Sequence, residues 1–322
     1  MRALAAILVA FGLVIAASAQ PIDQLQQDDA LVQSLGWRLS RANAQLCARA
    51  APGIGLLLAD TKTFSDPALA RQTYGLSGDI AVAAIAADGP AARAGINANA
   101  TVTAIEGAPV SDLAPPRGDD SWARVLALQH RIERTLAKAG QVALTFADGR
   151  TITVRGEPSC GVRFIVDDGR GNAAASRDQV RIGRKILRKL GDDPALIAAV
   201  LAHELAHAAL DHESSITDGY DSDAIVRRCE READRLSVWI LANAGFDPAA
   251  AAAMNERLAA GRFTLFASSS HGSTRTRVSH IRDEIEAMAD APDDNRPDTN
   301  RPDHNWALHF RREAGLALPR AD

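Results

Sequence analysis

The spacing of apolar positions along the chain changes character twice. From about residue 23 to 50 they recur at helical spacing, with Leu31, Leu35, Leu39 and Leu46 near one face. Ala51-Pro52-Gly53 breaks that pattern. Between about 54 and 156 short β-like runs take over, at 80–85, 102–105, 142–146 and 151–154. Asp148-Gly149 joins the last two as a hairpin, and a helix-like segment at 122–139 lies between the second and third. From about 158 the pattern is mainly helical. Asn172-Ala173-Ala174-Ala175-Ser176 leads into Val180-Arg181-Ile182, which reads as an edge strand. Asp193-Pro194 opens a helix with an acid at the cap and proline at the first helical position, predicted to run to about Leu210. A second helix is predicted from about Ala224 to Ala244, ended by Gly245. Asn-Arg-Pro-Asp then occurs twice, at 295–298 and 300–303, in a polar linker ahead of a short amphipathic tail.

The N-terminus reads as a targeting segment. Arg2 precedes an almost entirely apolar stretch at 3–15, and Ala17-Ser18-Ala19 follows as a small-residue cleavage site. The expectation is export to a periplasm with cleavage after Ala19. The alternative is a membrane anchor made by the uncleaved segment, which is short for a spanning helix. No later stretch has the length to span a bilayer, so no stable membrane span is expected after cleavage.

Composition narrows the classes. The 322 residues are 47% hydrophobic and 24% charged, which suits a globular chain of about two domains. A net charge of −4 and 4% aromatics supply neither the basic footprint nor the stacking rings of a nucleic-acid binder. Three cysteines are too few for a disulfide-built scaffold. In an oxidising compartment Cys47 and Cys160 are expected to pair and tie the two halves together, leaving Cys229 over.

The chemistry sits in His203-Glu204-Leu205-Ala206-His207. Four helical residues turn about 400° and climb about 6 Å, so the two imidazoles point the same way and can grip one zinc ion. Glu204 lies about 100° around the helix from His203, placed to work on a water rather than to replace it. The residues around the motif make a helix that is apolar nearly all round, hence buried. Two imidazoles and a carboxylate in such surroundings call for a partner, which one Zn2+ per chain would supply. A third protein ligand is then needed. Asp211 lies about 12 Å along the helix axis from His203, too far for one ion, and His212 points about 180° away from it. Glu213 stands where another zinc-peptidase pattern requires a third histidine. In Cys229-Glu230-Arg231-Glu232-Ala233-Asp234, spacing leaves Glu230 and Glu232 as rivals for the ligand. Asp234, four residues after Glu230, is placed to hold a ligand imidazole through its other ring nitrogen.

His203-Glu-Leu-Ala-His207 followed by Glu230-x-x-Ala233-Asp234 resembles metallopeptidase family forty-eight, the zinc gluzincins of the CAAX prenyl endopeptidase and beta-barrel assembly-enhancing protease type. The resemblance covers about 160–285. It implies His203, His207 and Glu230 as the zinc ligands and Glu204 as general base. It matches Asn172-Ala173 to the family's upstream edge strand, and Ser270-His271-Gly272 with Arg277-Val278 to a downstream segment in which Gly272 replaces a usual proline. It implies that His271 lies over the metal, either as a donor to the oxyanion or as an inhibitory ligand, with His280 and Tyr220 as lesser candidates. A second resemblance precedes it. Gly89-Pro90-Ala91-Ala92-Arg93-Ala94-Gly95-Ile96, then 102–105 and Gly107-Ala108-Pro109-Val110, resemble a bacterial PDZ domain. Asn99-Ala100 replaces a usual Gly-Asp, and 114–120 form an inserted loop. The resemblance places a carboxylate-binding loop at Gly75-Leu76-Ser77-Gly78 and implies binding of peptide C-termini.

The combined expectation is an α+β protein: a mainly helical zinc metallopeptidase domain with a small edge sheet, preceded by a PDZ-like β-rich domain. Its parts would be a signal peptide at 1–19, an N-terminal helix at 20–51, the PDZ-like domain at 52–157, the peptidase domain at 158–290 and a linker and tail at 291–322. The expected activity is cleavage of unfolded or misassembled envelope polypeptides held in extended form. The alternative is a PDZ-type adaptor or assembly factor on an inactive or auto-inhibited peptidase body.

Overall fold

The computed structural model describes residues 24–47, 49–114, 122–167, 171–191, 193–214, 223–260 and 273–290. The signal-peptide reading and the linker and tail fall outside them. The architecture is α+β, with four small sheets and two separate hydrophobic cores among the described residues. Among the described residues no helix is long and apolar enough to cross a membrane.

The chain opens with α1 (Gln24–Ala42). The apolar spacing predicts helix to residue 50, but the helix stops at Ala42, a single 3-10 turn covers Ala44–Leu46, and β1 (Ala50–Gly53) follows. The Ala51-Pro52-Gly53 break therefore lies inside a strand. It pairs antiparallel with β8 (Glu157–Cys160) in a two-stranded ribbon, where a proline removes little of the ladder. Cys47 and Cys160 are disulfide-bonded there, with Cα atoms 5.4 Å apart across 113 residues of sequence. Closing a loop of that size restrains the unfolded chain by about 4–5 kcal/mol in the chain-entropy account. Replacing both cysteines with serine is expected to lower the urea midpoint in proportion. An unchanged midpoint would show that the bond adds no stability.

The first core belongs to the β-rich part. β2 (Leu56–Asp60) pairs antiparallel with β3 (Ile80–Ile85). A four-stranded sheet runs in the order β5 (Ala108–Pro109), β4 (Val102–Ile105), β6 (Gln141–Phe146), β7 (Thr151–Arg155). Alternation along β6 buries Val142, Leu144 and Phe146. The helices here are α2 (Pro67–Tyr74), α3 (Pro90–Arg93) and α4 (Ala123–Ala139). The α4 residues Leu128, Ile132 and Leu136, spaced four apart, close this core against the sheets. Asn99 has φ 65°. Asparagine tolerates that left-handed geometry better than most residues.

The second core belongs to the helical part. β9 (Arg163–Asp167), β10 (Ala173–Ser176) and β11 (Gln179–Gly183) form a sheet in the order β10-β11-β9. The strand at 180–182 is therefore central, not an edge: it pairs antiparallel with β10 and parallel with β9. Among the described residues β10 is the strand left with an open side next to α6. The helices are α5 (Arg184–Leu190), α6 (Pro194–Ala209), α7 (Asp223–Asn243), α8 (Ala250–Ala259) and α9 (Thr274–Asp290). Asp193 caps α6, accepting from the Ala195 amide at 2.9 Å, and Pro194 takes the first helical position as predicted.

Helix α1 joins this second core through Val32, Leu35 and Leu39. Gly36 lets the Phe164 ring lie directly on the α1 backbone, in space that a Cβ would occupy. Arg38 reaches the Ala244 carbonyl at 2.6 Å and the Gly245 carbonyl at 3.0 Å, neutralising the exposed end of α7. At its other end, Gln26 donates to Asn99 Oδ1 at 2.6 Å, so α1 also touches the β-rich part.

Candidate metal centre

Helix α6 is apolar on every side, and Ile197 through Ala202 are at most 1% exposed. His203 and His207, one turn apart, are the exceptions that face α7. Their Nε2 atoms lie 3.3 Å apart. Glu230 approaches from α7, with Oε2 3.5 Å from His203 Nε2 and Oε1 3.5 Å from His207 Nε2. Three potential ligand atoms thus converge within 4.8 Å of one another. The set is two imidazole nitrogens and one carboxylate oxygen, a chemistry suited to a borderline divalent cation.

The surroundings fix these groups. Asp234 Oδ1 sits 3.1 Å from His203 Nδ1, which turns that ring's Nε2 toward the centre. Asp234 in turn accepts two hydrogen bonds from Arg277 on α9, Nε to Oδ2 at 2.7 Å and Nη2 to Oδ1 at 2.6 Å. The same Nη2 lies 3.6 Å from Glu230 Oε2. Asp234 and Arg277 are both buried.

The electrostatics follow from burial against these partners. Burial raises Glu204, partly opposed by the His203 charge, and its carboxyl is pushed up to about 7. Burial alone would lower His203, but Asp234 and Glu230 push it up to about 10. His207 has no direct carboxylate on its outer nitrogen; burial and the neighbouring His203 hold it well below the usual imidazole value. Burial opposes ionisation of Glu230, yet His203, His207 and Arg277 hold it well below the ordinary carboxylate range. Asp234 is likewise lowered, burial being outweighed by Arg277 and His203.

The rivalry between Glu230 and Glu232 ends in their directions. Glu232 points away from the convergent atoms and meets His212, whose Nε2 lies 3.0 Å from its Oε2. Helical extrapolation fails for His212 because α6 ends at Ala209 and Asp211 adopts φ 52°. The chain turns back, and His212 Nδ1 arrives 2.9 Å from His207 Nδ1. The only local signal for this was an aspartate after the apolar run, a residue type that tolerates left-handed backbone. Asp211 itself turns out toward Arg177, 3.7 Å away. His212, Cys229 and Glu232 form a second, fully buried group that could hold a metal ion. Cys229 is a free thiol. Arg277 was legible only as a match to a family segment; its pairing with Asp234 comes from the packing of α9. His280 belongs to neither metal group. His271 and Tyr220 lie outside the described residues.

In the β-rich part, the amides of Gly75, Leu76 and Ser77 in the loop at 75–78 have partners within the fold. Gly75 caps α2, the Leu76 amide donates to the Arg71 carbonyl at 2.8 Å, and the Ser77 amide donates to Thr101 Oγ1 at 3.1 Å. A cavity of about 520 Å³ opens between Trp37, Gly53, Gly55, Gln129 and Arg163, and no residue of either metal group lines it. Gln129 bridges the facing edge of β2, accepting from the Leu58 amide at 3.2 Å and donating to the Leu56 carbonyl at 3.3 Å.

No family model matches the chain, and no curated protein matches it.

Proposed function

We propose that the chain is an exported zinc endopeptidase that hydrolyses peptide bonds of unfolded or misassembled envelope proteins. The observation that carries this reading is the convergence of His203, His207 and Glu230, with the buried Glu204 beside them and outside the ligand group. Two imidazoles and one carboxylate leave a fourth position open, the donor pattern of catalytic rather than structural zinc. When bound, zinc supplies a Lewis acid for the scissile carbonyl and makes a water more acidic. Glu204, pushed up to about 7, is suited to take a proton from the attacking water and pass it to the leaving amine. Asp234 and Arg277 keep His203 in its ligating orientation.

Binding of an extended chain draws on β10. Its open side beside α6 presents main-chain donors and acceptors, which would hold substrate with little side-chain selectivity. The β-rich part is read as PDZ-like and its ligand as a peptide C-terminus. A strand added to β2 would have to displace Gln129.

Metal analysis of purified protein, with cleavage of an unfolded casein-type substrate measured with and without chelator, tests the proposal. One zinc per chain and chelator-sensitive cleavage restored by zinc are expected. His203→Ala, His207→Ala and Glu230→Gln are each expected to leave the protein with substoichiometric metal after dialysis. A zinc-loaded protein that never cuts would leave the adaptor or assembly-factor alternative standing.

A further inference from the structure

We propose that Glu232 and His212 form a positioning relay that holds His207 in its metal-ligating tautomer; this rests on the reading of His203, His207 and Glu230 as a metal centre. The count of ring protons fixes each link. A neutral imidazole carries a single N–H. His207 turns Nε2 toward Glu230 and the convergent site, so as a ligand its proton is on Nδ1. That Nδ1 lies 2.9 Å from His212 Nδ1. Of two nitrogens at that distance one must donate and the other accept, so His212 Nδ1 is the acceptor. The proton of His212 is then on Nε2, where Glu232 Oε2 accepts it at 3.0 Å. The other oxygen of Glu232 lies 3.5 Å from Arg228 Nε. Every link has a donor and an acceptor, and the chain ends on a carboxylate.

The two ligating rings are thus held alike through Nδ1. His203 meets Asp234 directly, whereas His207 meets Glu232 through an interposed imidazole. The reason lies in α7. Glu230 and Glu232 are about 200° apart around the helix, so one cannot follow the other to the same point. The turn at Asp211 brings His212 round to span the gap.

The same counting weighs against a second ion held by His212, Cys229 and Glu232. Ligation through His212 Nε2 would move that ring's proton to Nδ1 and set two N–H groups face to face at 2.9 Å. With His207 also a ligand, one ring would have to become an imidazolate.

The test measures metal affinity by competition with a chromophoric chelator, together with the visible spectrum of the cobalt-substituted protein. His212→Leu removes the acceptor and is expected to weaken binding about 10–100-fold and to alter the cobalt spectrum. His212→Asn keeps a carbonyl oxygen close to the Nδ1 position and is expected to recover most of the affinity. Unfolding midpoints in chelator report whether each variant folds. If His212→Leu destabilises the fold, Glu232→Leu and His212→Asn carry the comparison. Wild-type affinity and an unchanged cobalt spectrum in His212→Leu would overturn the relay. Two ions per chain falling to one in Cys229→Ala would overturn it as well. Failure of the metal centre itself has a separate signature, unchanged metal binding in His203→Ala, and removes the relay with it.

Discussion

Glu204→Gln is expected to abolish cleavage of an unfolded protein while leaving metal content at the wild-type level. The substitution keeps the shape of the side chain and removes its capacity to accept a proton. A positioned general base contributes about 10²–10⁴ in rate, so kcat should fall by about that factor. The two readouts separate because Glu204 is not one of the convergent ligand atoms: it follows His203 on α6 but points about 100° away. It is also 4% exposed, so glutamine, which needs no counter-charge, fits the same buried space. Loss of metal in this variant would make Glu204 a ligand, and full activity would place the base elsewhere. Either result defeats the assignment.

The second large effect is expected at Arg277. This guanidinium is 4% exposed and bidentate to Asp234, itself 1% exposed. Replacing Arg277 with methionine leaves the Asp234 carboxylate buried with, among the described residues, only His203 as partner, and breaking such a pair typically costs about 3–5 kcal/mol. Urea unfolding in chelator should show a shift of that size. Replacing both partners together, Asp234→Leu with Arg277→Met, should restore much of the stability because no charge is then stranded. The double variant should still bind metal poorly, since His203 has lost its partner at Nδ1. Full metal affinity in the double variant would show that Asp234 does not orient the ligand. The pH dependence has a definite sign. Asp234 is held below its ordinary value of 3.8, so its contribution is complete above that pH and is lost as pH falls through the folded-state value. The double variant lacks this contribution, so its stability should fall less steeply than that of wild type across that pH range.

The helices were legible where their signals were local. Asp193-Pro194 marks the start of α6, and Gly245 follows the end of α7 closely. The hairpin at Asp148-Gly149 was equally readable, because turn chemistry is set by a few adjacent residues. Predictions that depended on partners fared less well. The strand at 180–182 was read as an edge because alternation reports which face is buried, not how many neighbours a strand has. Its place between β9 and β10 makes those two the edge strands of this sheet among the described residues. The helix read to residue 50 ended at Ala42 because 50–53 found a partner strand more than 100 residues away in β8.

The candidate site divides along the same line. His203, Glu204 and His207 follow from sequence by themselves, since the helical repeat relates residues one turn apart whatever surrounds them. The choice between Glu230 and Glu232 does not, because it depends on how α7 is rotated about its axis. Packing sets that rotation by burying Ala233, Leu236 and Trp239. His212 lay beyond local inference for a related reason. One left-handed residue at 211 replaced a helical direction with a turn, and only the assembled fold decided which ring nitrogen it would meet.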